Sequence, residues 1–503
     1  MPRTENCEPR TTNYKGLYCS ELFLVVLAVY TIAKCKKINN NRRTSSMAEL
    51  PKVYFLDDPK SFAYSTARAR WPKILNQTKD ESIKVRMEKN ANNVELVKQG
   101  EEILAGIDDL IRDIESSSKV RLFTAEEIEF IPSLESYNIM FKEFGSSPSW
   151  LNGPWLLLEC YLYRYLDLIV KSRKEWFDYD TFEVMKRDAF KSSSLGVYEL
   201  AIRYKTLSEE LKKTKKIDLE KAKFLFEEFI DISLWGNATD LSLLANATLE
   251  DIQSRQGKEA RAKSAKNIID NDLPEAWSRF LSVPAEKRRI DIVLDNAGFE
   301  FYTDLSLALF LLDAKLVKNV VFHCKSRPWM VSDTMVKDYG LFIEDMKNLE
   351  WFPDHRVEMD YFVESIEKYH ANGQFTLKDS EFWTCAYDYT KLSSEETKFG
   401  GAELYKYFQE STLVIVKGDL NYRKLTADRQ WPKTTSFATA LGSLAQSNIH
   451  ILALRTCKAD VCVGMAEGVE EELIEYWKKL GNEVGELWCS SGKWAVISYS
   501  QGH

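Results

Sequence analysis

Five short runs rich in aliphatic and β-branched residues punctuate the C-terminal part of the chain, at 290–294 (IDIVL), 320–323 (VVFH), 413–416 (LVIV), 449–454 (IHILAL) and 494–499 (WAVISY). A strand with one wet face alternates apolar and polar residues, whereas a strand covered on both faces need not. Short, nearly continuous apolar runs are the habit of parallel sheets, whose crossover helices lie on both sides. Amphipathic segments at 299–317 and 334–346 follow the first two runs. Residues 286–503 are therefore expected to form a doubly wound, mainly parallel α/β/α sheet domain.

Upstream the texture changes. Ile103, Ile107, Leu110, Ile111 and Ile114 recur every three or four residues, one face of a helix. Residues 155–170 (WLLLECYLYRYLDLIV) are apolar on nearly every side, as a buried helix is, with Pro154 at its first turn. Helical spacing continues through 224–235, and the charge-rich stretches 203–223 and 256–266 read as solvated helix faces. The fold class is α/β, with a mainly helical region at 50–285 ahead of the sheet domain.

The net charge is −8, yet residues 1–46 alone carry eight basic and three acidic side chains. An acidic body behind a basic leader offers no broad cationic surface for phosphate backbones, so no nucleic-acid partner is expected. The leader's uncharged run, 22–33 (LFLVVLAVYTIA), is 12 residues long, and roughly 20 are needed to span a bilayer. Its length suits a signal-peptide core, but Glu21 stands at its start and no A-x-A site follows. The leader is expected to be a variable extension ahead of Met47; membrane association through 22–33 is the alternative. Nine cysteines without a paired framework or a C-x-x-C fit reduced thiols, hence a cytoplasmic protein, with the nucleus also open.

Ligands of open α/β sheets bind beyond the carboxyl ends of the strands. The first run is followed by Asp295 and Asn296, and the second, after a short loop, by Asp333. Two carboxylates and an amide are hard oxygen donors of the kind Mg²⁺ or Mn²⁺ takes alongside water and phosphate. Lys417, Gly418, Asn421, Arg423, Arg455, Lys458 and Lys493 cluster at the later strand ends, where cations and a close-approaching backbone suit a phosphorylated substrate. Plainer readings stay open. Asp295 and Asp333 suit helix caps, KGD suits a turn, Arg455 and Lys458 suit surface charges, and Trp155 and Trp329 suit the core.

The motifs LDNAGFE, PWMVSDT, VKGDLNYRKL and RTCK, with SLWGN upstream and SGK near the end, closely resemble the damage-control phosphatase family, in its sugar-phosphate branch. The resemblance runs from SFAY at Ser61 to the C-terminus and includes PWLLLECYLYR at 154–164. It implies a divalent-metal phosphatase, active with Mn²⁺, Co²⁺, Ni²⁺ or Mg²⁺, on fructose 1-phosphate, fructose 6-phosphate and related small sugar phosphates. The family's metal ligands fall on Asp295, Asn296 and Asp333. Its substrate-contacting segment falls on Lys417, Gly418, Asp419, Leu420 and Asn421, and the lysine of its RTxK signature on Lys458, beside Arg455. Tyr422, Arg423 and Lys493 join these by position alone, and Asp419 is assigned to orient water or bind a sugar hydroxyl.

The family is also credited with S-adenosylmethionine-dependent methylation of protein glutamates, which makes a carboxyl O-methyltransferase the alternative. The turn after the first run holds one glycine and two metal-type donors, poor for wrapping a nucleoside and suited to a metal. A haloacid-dehalogenase phosphatase is disfavoured because Asn296 and Ala297 follow Asp295 where D-x-D is expected.

Overall fold

The apolar runs become strands, and the sheet extends one strand beyond them at each edge. Its members are β1 (Ile268–Asn271), β2 (Arg289–Val293), β3 (Asn319–Lys325), β4 (Phe375–Ser380), β5 (Leu413–Lys417), β6 (Ile451–Thr456) and β7 (Ala495–Ser500), in the order β1-β7-β6-β5-β2-β3-β4. Strands β4, β3, β2, β5 and β6 are parallel; β7 pairs antiparallel with β6, and β1 runs parallel to β7. This is a computed structural model, and it describes residues 50–145, 147–214, 217–236 and 265–503. The leader with its apolar run, Asn237 of SLWGN and most of the charged stretch 256–266 lie outside the described residues.

Period-two alternation sorts the strand side chains into two cores. Ile290, Ile292, Phe322, Leu413 and Ile415 enter one cluster, while Val293, Val414, Val416, Ile451 and Ala453 enter the other. Both faces are therefore dry at the centre, as the unbroken apolar runs require. The edge strands β1 and β4 are half exposed and carry polar residues (IIDN, FTLKDS), so no apolar run announced them.

The helical region contributes α1 (Val94–Glu115), α2 (Trp155–Lys171), α3 (Glu183–Ser192), α4 (Ser194–Lys213) and α5 (Leu219–Trp235). The four isoleucines and one leucine expected on one stripe of α1 are all buried. Pro154 precedes α2 at its N-cap and does not sit inside the first turn. The stretch expected to be a solvated face buries Arg203, whose guanidinium meets the Glu228 carboxylate at 3.0 and 3.1 Å. A charge-rich composition identified the helix but not which of its charges had a buried partner.

In the sheet half, α6 (Phe299–Asp313) follows β2, with α7 (Val336–Lys347), α8 (Arg356–Ala371) and α9 (Gly418–Leu425) after it. The amphipathic pattern expected for α6 is not what forms: every residue but Asp313 is buried, with α4 and α5 packed against the helix. Phe310 stacks on Phe229 of α5 with ring centroids 4.9 Å apart. Trp329, Ala386, Leu420 and Ala459 of the sheet half are buried in the core of the helical region, and Lys52–His503 forms one unit.

Candidate active site

Asp295 and Asp333 are 38 positions apart, and backbone hydrogen bonds beyond the ends of β2 and β3 bring them together. The Thr334 N–H donates to the Asp295 carbonyl at 2.8 Å, and the Ala297 N–H to the Ser332 carbonyl at 2.7 Å. Asn296 and Asp333 face each other in an antiparallel bridge. The turn before Asp333 holds Met330 (φ 45°) and Val331 (φ 72°) in the left-handed region. For a β-branched residue this conformation is strained, on the order of 1–3 kcal/mol, a cost that concentrates in functional loops.

Neither aspartate is a helix cap. The residue capping α6 is Gly298, and α7 starts after Met335, whose N–H donates to Asp338 at 2.8 Å. Both carboxylates instead line a cavity of about 400 Å³ at the strand ends. Burial, then Glu300 and Asp333, push the Asp295 carboxyl well above the usual range. Burial raises Asp333 to about 6, against the opposing pull of Lys325, whose ammonium stands 3.1 Å from Asp333 Oδ2. Asn296 binds this group together, donating to Asp295 Oδ2 at 2.9 Å and Glu300 Oε2 at 2.8 Å while accepting from the Ser332 hydroxyl.

Carboxylates buried side by side repel one another, and a cation between them relieves that repulsion. Among the described residues no group of three or more His, Cys, Asp and Glu side chains is set to hold an ion by itself. Asp295, Asn296 and Asp333 make two carboxylates and one amide, a partial set that leaves positions for water and phosphate oxygens, as Mg²⁺ and Mn²⁺ use. The donor chemistry therefore fits such an ion.

Gly418, with φ 85°, begins α9 against Asp295; a Cβ there would collide with the carboxylate. Next to it, Asp419 Oδ1 accepts from Arg455 Nε at 2.7 Å and from the Lys458 N–H at 2.9 Å. Arg455 is wholly buried over the Tyr422 ring and also donates to the Ala459 and Val461 carbonyls, so it shapes the loop that presents Lys458. The exposed Lys458 lines the cavity beside Asp295, Asn296, Asp333, Asp419 and Leu420.

Other expected residues go elsewhere. Lys417 turns away from the cavity into the protein, where its ammonium meets Asp304 Oδ1 at 2.9 Å, the Ser233 hydroxyl at 2.8 Å and Glu300 at 3.4 Å. Asn421 is spent on the Leu294 and Lys417 carbonyls and the Tyr389 hydroxyl. Lys493 lies 5.1 Å over the Trp477 ring and is not part of the cavity wall, though its neighbour Gly492 lines an adjoining space of about 230 Å³. Arg423 does line the cavity, stacked 3.7 Å over Trp155 and held by Glu159 and Asp428; Tyr422 lies beneath Arg455.

Four contributors carried too little sequence signal to be singled out. Lys325 and Glu300 stand among the strand-exit residues but show their partners only in the fold. Lys186 of α3, tied to Asp180 and Asp338, and Arg70 come from the helical region, far from any strand end.

A mainly parallel sheet with oxygen donors and cations gathered in a cavity at its strand ends is the arrangement of an α/β enzyme. The chain belongs to the damage-control phosphatase ARMT1-like family, whose domain matches residues 66–473. It is similar to damage-control phosphatase ARMT1 of Homo sapiens (31% identical; 90% of this chain and 99% of the relative) and of Xenopus tropicalis (32%; 88% and 96%). The Danio rerio protein of the same name is 30% identical over 88% of this chain and 95% of its own. Among solved structures, a DUF89 family protein from Pyrococcus horikoshii superposes with a TM-score of 0.32 at 14% identity, covering 80% of this chain and 98% of that one. No helix among the described residues is long and apolar enough to cross a membrane.

Proposed function

We propose that this chain hydrolyses phosphate monoesters of small sugars, fructose 1-phosphate and fructose 6-phosphate among them, with a divalent cation of the Mn²⁺, Co²⁺, Ni²⁺ or Mg²⁺ kind. The observation that carries the reading is the backbone ladder that sets Asp295, Asn296 and Asp333 in one cavity with the Lys458 ammonium. Those three residues would hold the ion, which when bound polarises the phosphoryl group and lowers the pKa of the attacking water.

The chain's own groups do the rest. Lys325 fixes the Asp333 carboxylate. Lys458 neutralises charge on the phosphoryl oxygens, where positioning and electrostatics supply most of the catalysis. Asp419 has Oδ1 engaged by Arg455 and Lys458, leaving Oδ2 to accept from a sugar hydroxyl or from the attacking water. Phe62, Trp155, Met330 and Leu420 form an apolar wall that limits competing water.

The test is phosphate release from fructose 1-phosphate by the purified full chain, in EDTA and after Mn²⁺ is restored. Release only with metal is expected; metal-independent release, or none, sinks the reading. Calorimetry with S-adenosylmethionine should show no binding, and a saturable signal would favour the methyltransferase alternative.

A further inference from the structure

Four cations line the cavity: Arg70, Lys186, Arg423 and Lys458. Two are already neutralised. Lys186 lies within 2.9 Å of Asp180 and Asp338, and Arg423 is clamped between Glu159 and Asp428. The side chains of Arg70 and Lys458 make no hydrogen bond or ion pair with the described residues, although Arg68, two positions away, finds the Leu56 and Tyr64 carbonyls. Arg70 thus reaches the cavity with its charge unspent.

The backbone explains how it gets there. Phe62 and Arg70 both line the cavity, yet eight residues of α-helix would set them about 80° apart around the axis. Between them, Thr66–Arg70 is a π-helical turn, with the Trp71 N–H donating to the Thr66 carbonyl five residues back. A π-turn holds about one more residue than an α-turn, which removes most of that offset and brings Arg70 round to the side of Phe62. Such turns are inserted into helices at functional sites more than elsewhere.

We propose that Arg70 is a substrate-binding residue that, with Lys458, takes the phosphoryl oxygens of the ester. This rests on the phosphatase reading above and assigns a phosphate contact to the helical region, remote in sequence from every strand end. A guanidinium presents a planar fork matched to two phosphate oxygens, which a lysine cannot reproduce.

The test compares the wild-type full chain with Arg70→Gln, Arg70→Lys and Lys73→Gln, an exposed cation one turn along the same helix. Binding of inorganic phosphate in Mg²⁺ is measured by calorimetry, KM for fructose 1-phosphate in Mn²⁺ by steady-state assay, and Tm by scanning fluorimetry. Arg70→Gln is expected to weaken phosphate binding and raise KM at least tenfold, with Arg70→Lys recovering only part. Lys73→Gln should bind phosphate as the wild type does, and all Tm values should agree within about 2 °C because Arg70 is exposed. Unchanged phosphate affinity in Arg70→Gln, or an equal loss in Lys73→Gln, overturns the proposal. Wild-type protein that binds phosphate through Arg70 but hydrolyses no ester overturns the phosphatase reading and leaves this assignment standing.

Discussion

Gly418 and Asp295 occupy the same space so closely that the first can carry no side chain. Gly418 has φ 85°, and a Cβ there would run into the Asp295 carboxylate. Gly418→Ala therefore combines backbone strain of about 1–2 kcal/mol with displacement of the carboxylate. A shift of that kind at a reacting centre lowers turnover on the order of 10²-fold. Denaturant midpoints and kcat on fructose 1-phosphate measure both; a variant with wild-type kcat would show that Asp295 tolerates the move.

Asp295→Asn separates chemistry from stability. Burial, Glu300 and Asp333 all oppose the ionised form of Asp295, so the uncharged isostere relieves repulsion in the metal-free fold. In EDTA the variant is expected to melt at or above the wild-type temperature, while its Mn²⁺-dependent turnover falls on the order of 10³-fold. A marked fall in Tm would assign the residue to scaffolding.

His450 supplies a pH prediction away from the site. Burial, Arg279 and His503 push its imidazole down from 6.5 to about 4, and its Nδ1 lies 2.9 Å from the Tyr499 hydroxyl. The fold thus holds the neutral ring while the unfolded chain takes up a proton near 6.5. The resulting stability is present above that pH and is lost as pH falls towards 4. Proton NMR should place the midpoint near 4, and His450→Gln should flatten the stability loss between pH 6.5 and 4. A midpoint at the ordinary value would falsify this.

The sequence displayed the sheet's centre because strands dry on both faces admit little but apolar residues; edge strands β1 and β4 face water and lack that mark. The convergence of Asp295, Asn296 and Asp333 on one cavity was legible because each is an oxygen-bearing residue shortly after a strand, where ligands of open sheets bind. What a charged side chain faces is another matter. Arg455 is the penultimate residue of β6 and Lys458 lies just past the strand, yet Arg455 is wholly buried and Lys458 exposed, according to where Asp419 and two loop carbonyls lie. Arg70 depends on a π-turn, which no apolar periodicity records.

Lys417 carries that lesson into its own test. Although burial works against its charge, Asp304 and Glu300 hold the ammonium ionised, and the same contacts fasten β5 to α6 and to Ser233 at the end of α5. Removing one partner of a buried pair leaves the other uncompensated, so Lys417→Met is expected to cost about 3–5 kcal/mol in urea unfolding. Replacing both, Lys417→Met with Asp304→Asn, removes much of that burden and should recover a large part of the stability. If Lys417 acts only by holding the strand end that carries Gly418, the double variant regains turnover along with stability. If it touches the phosphoryl group, turnover stays lost while stability returns. The geometry favours the first outcome, because the ammonium faces Asp304 and Ser233 and does not line the cavity that holds Asp295 and Lys458.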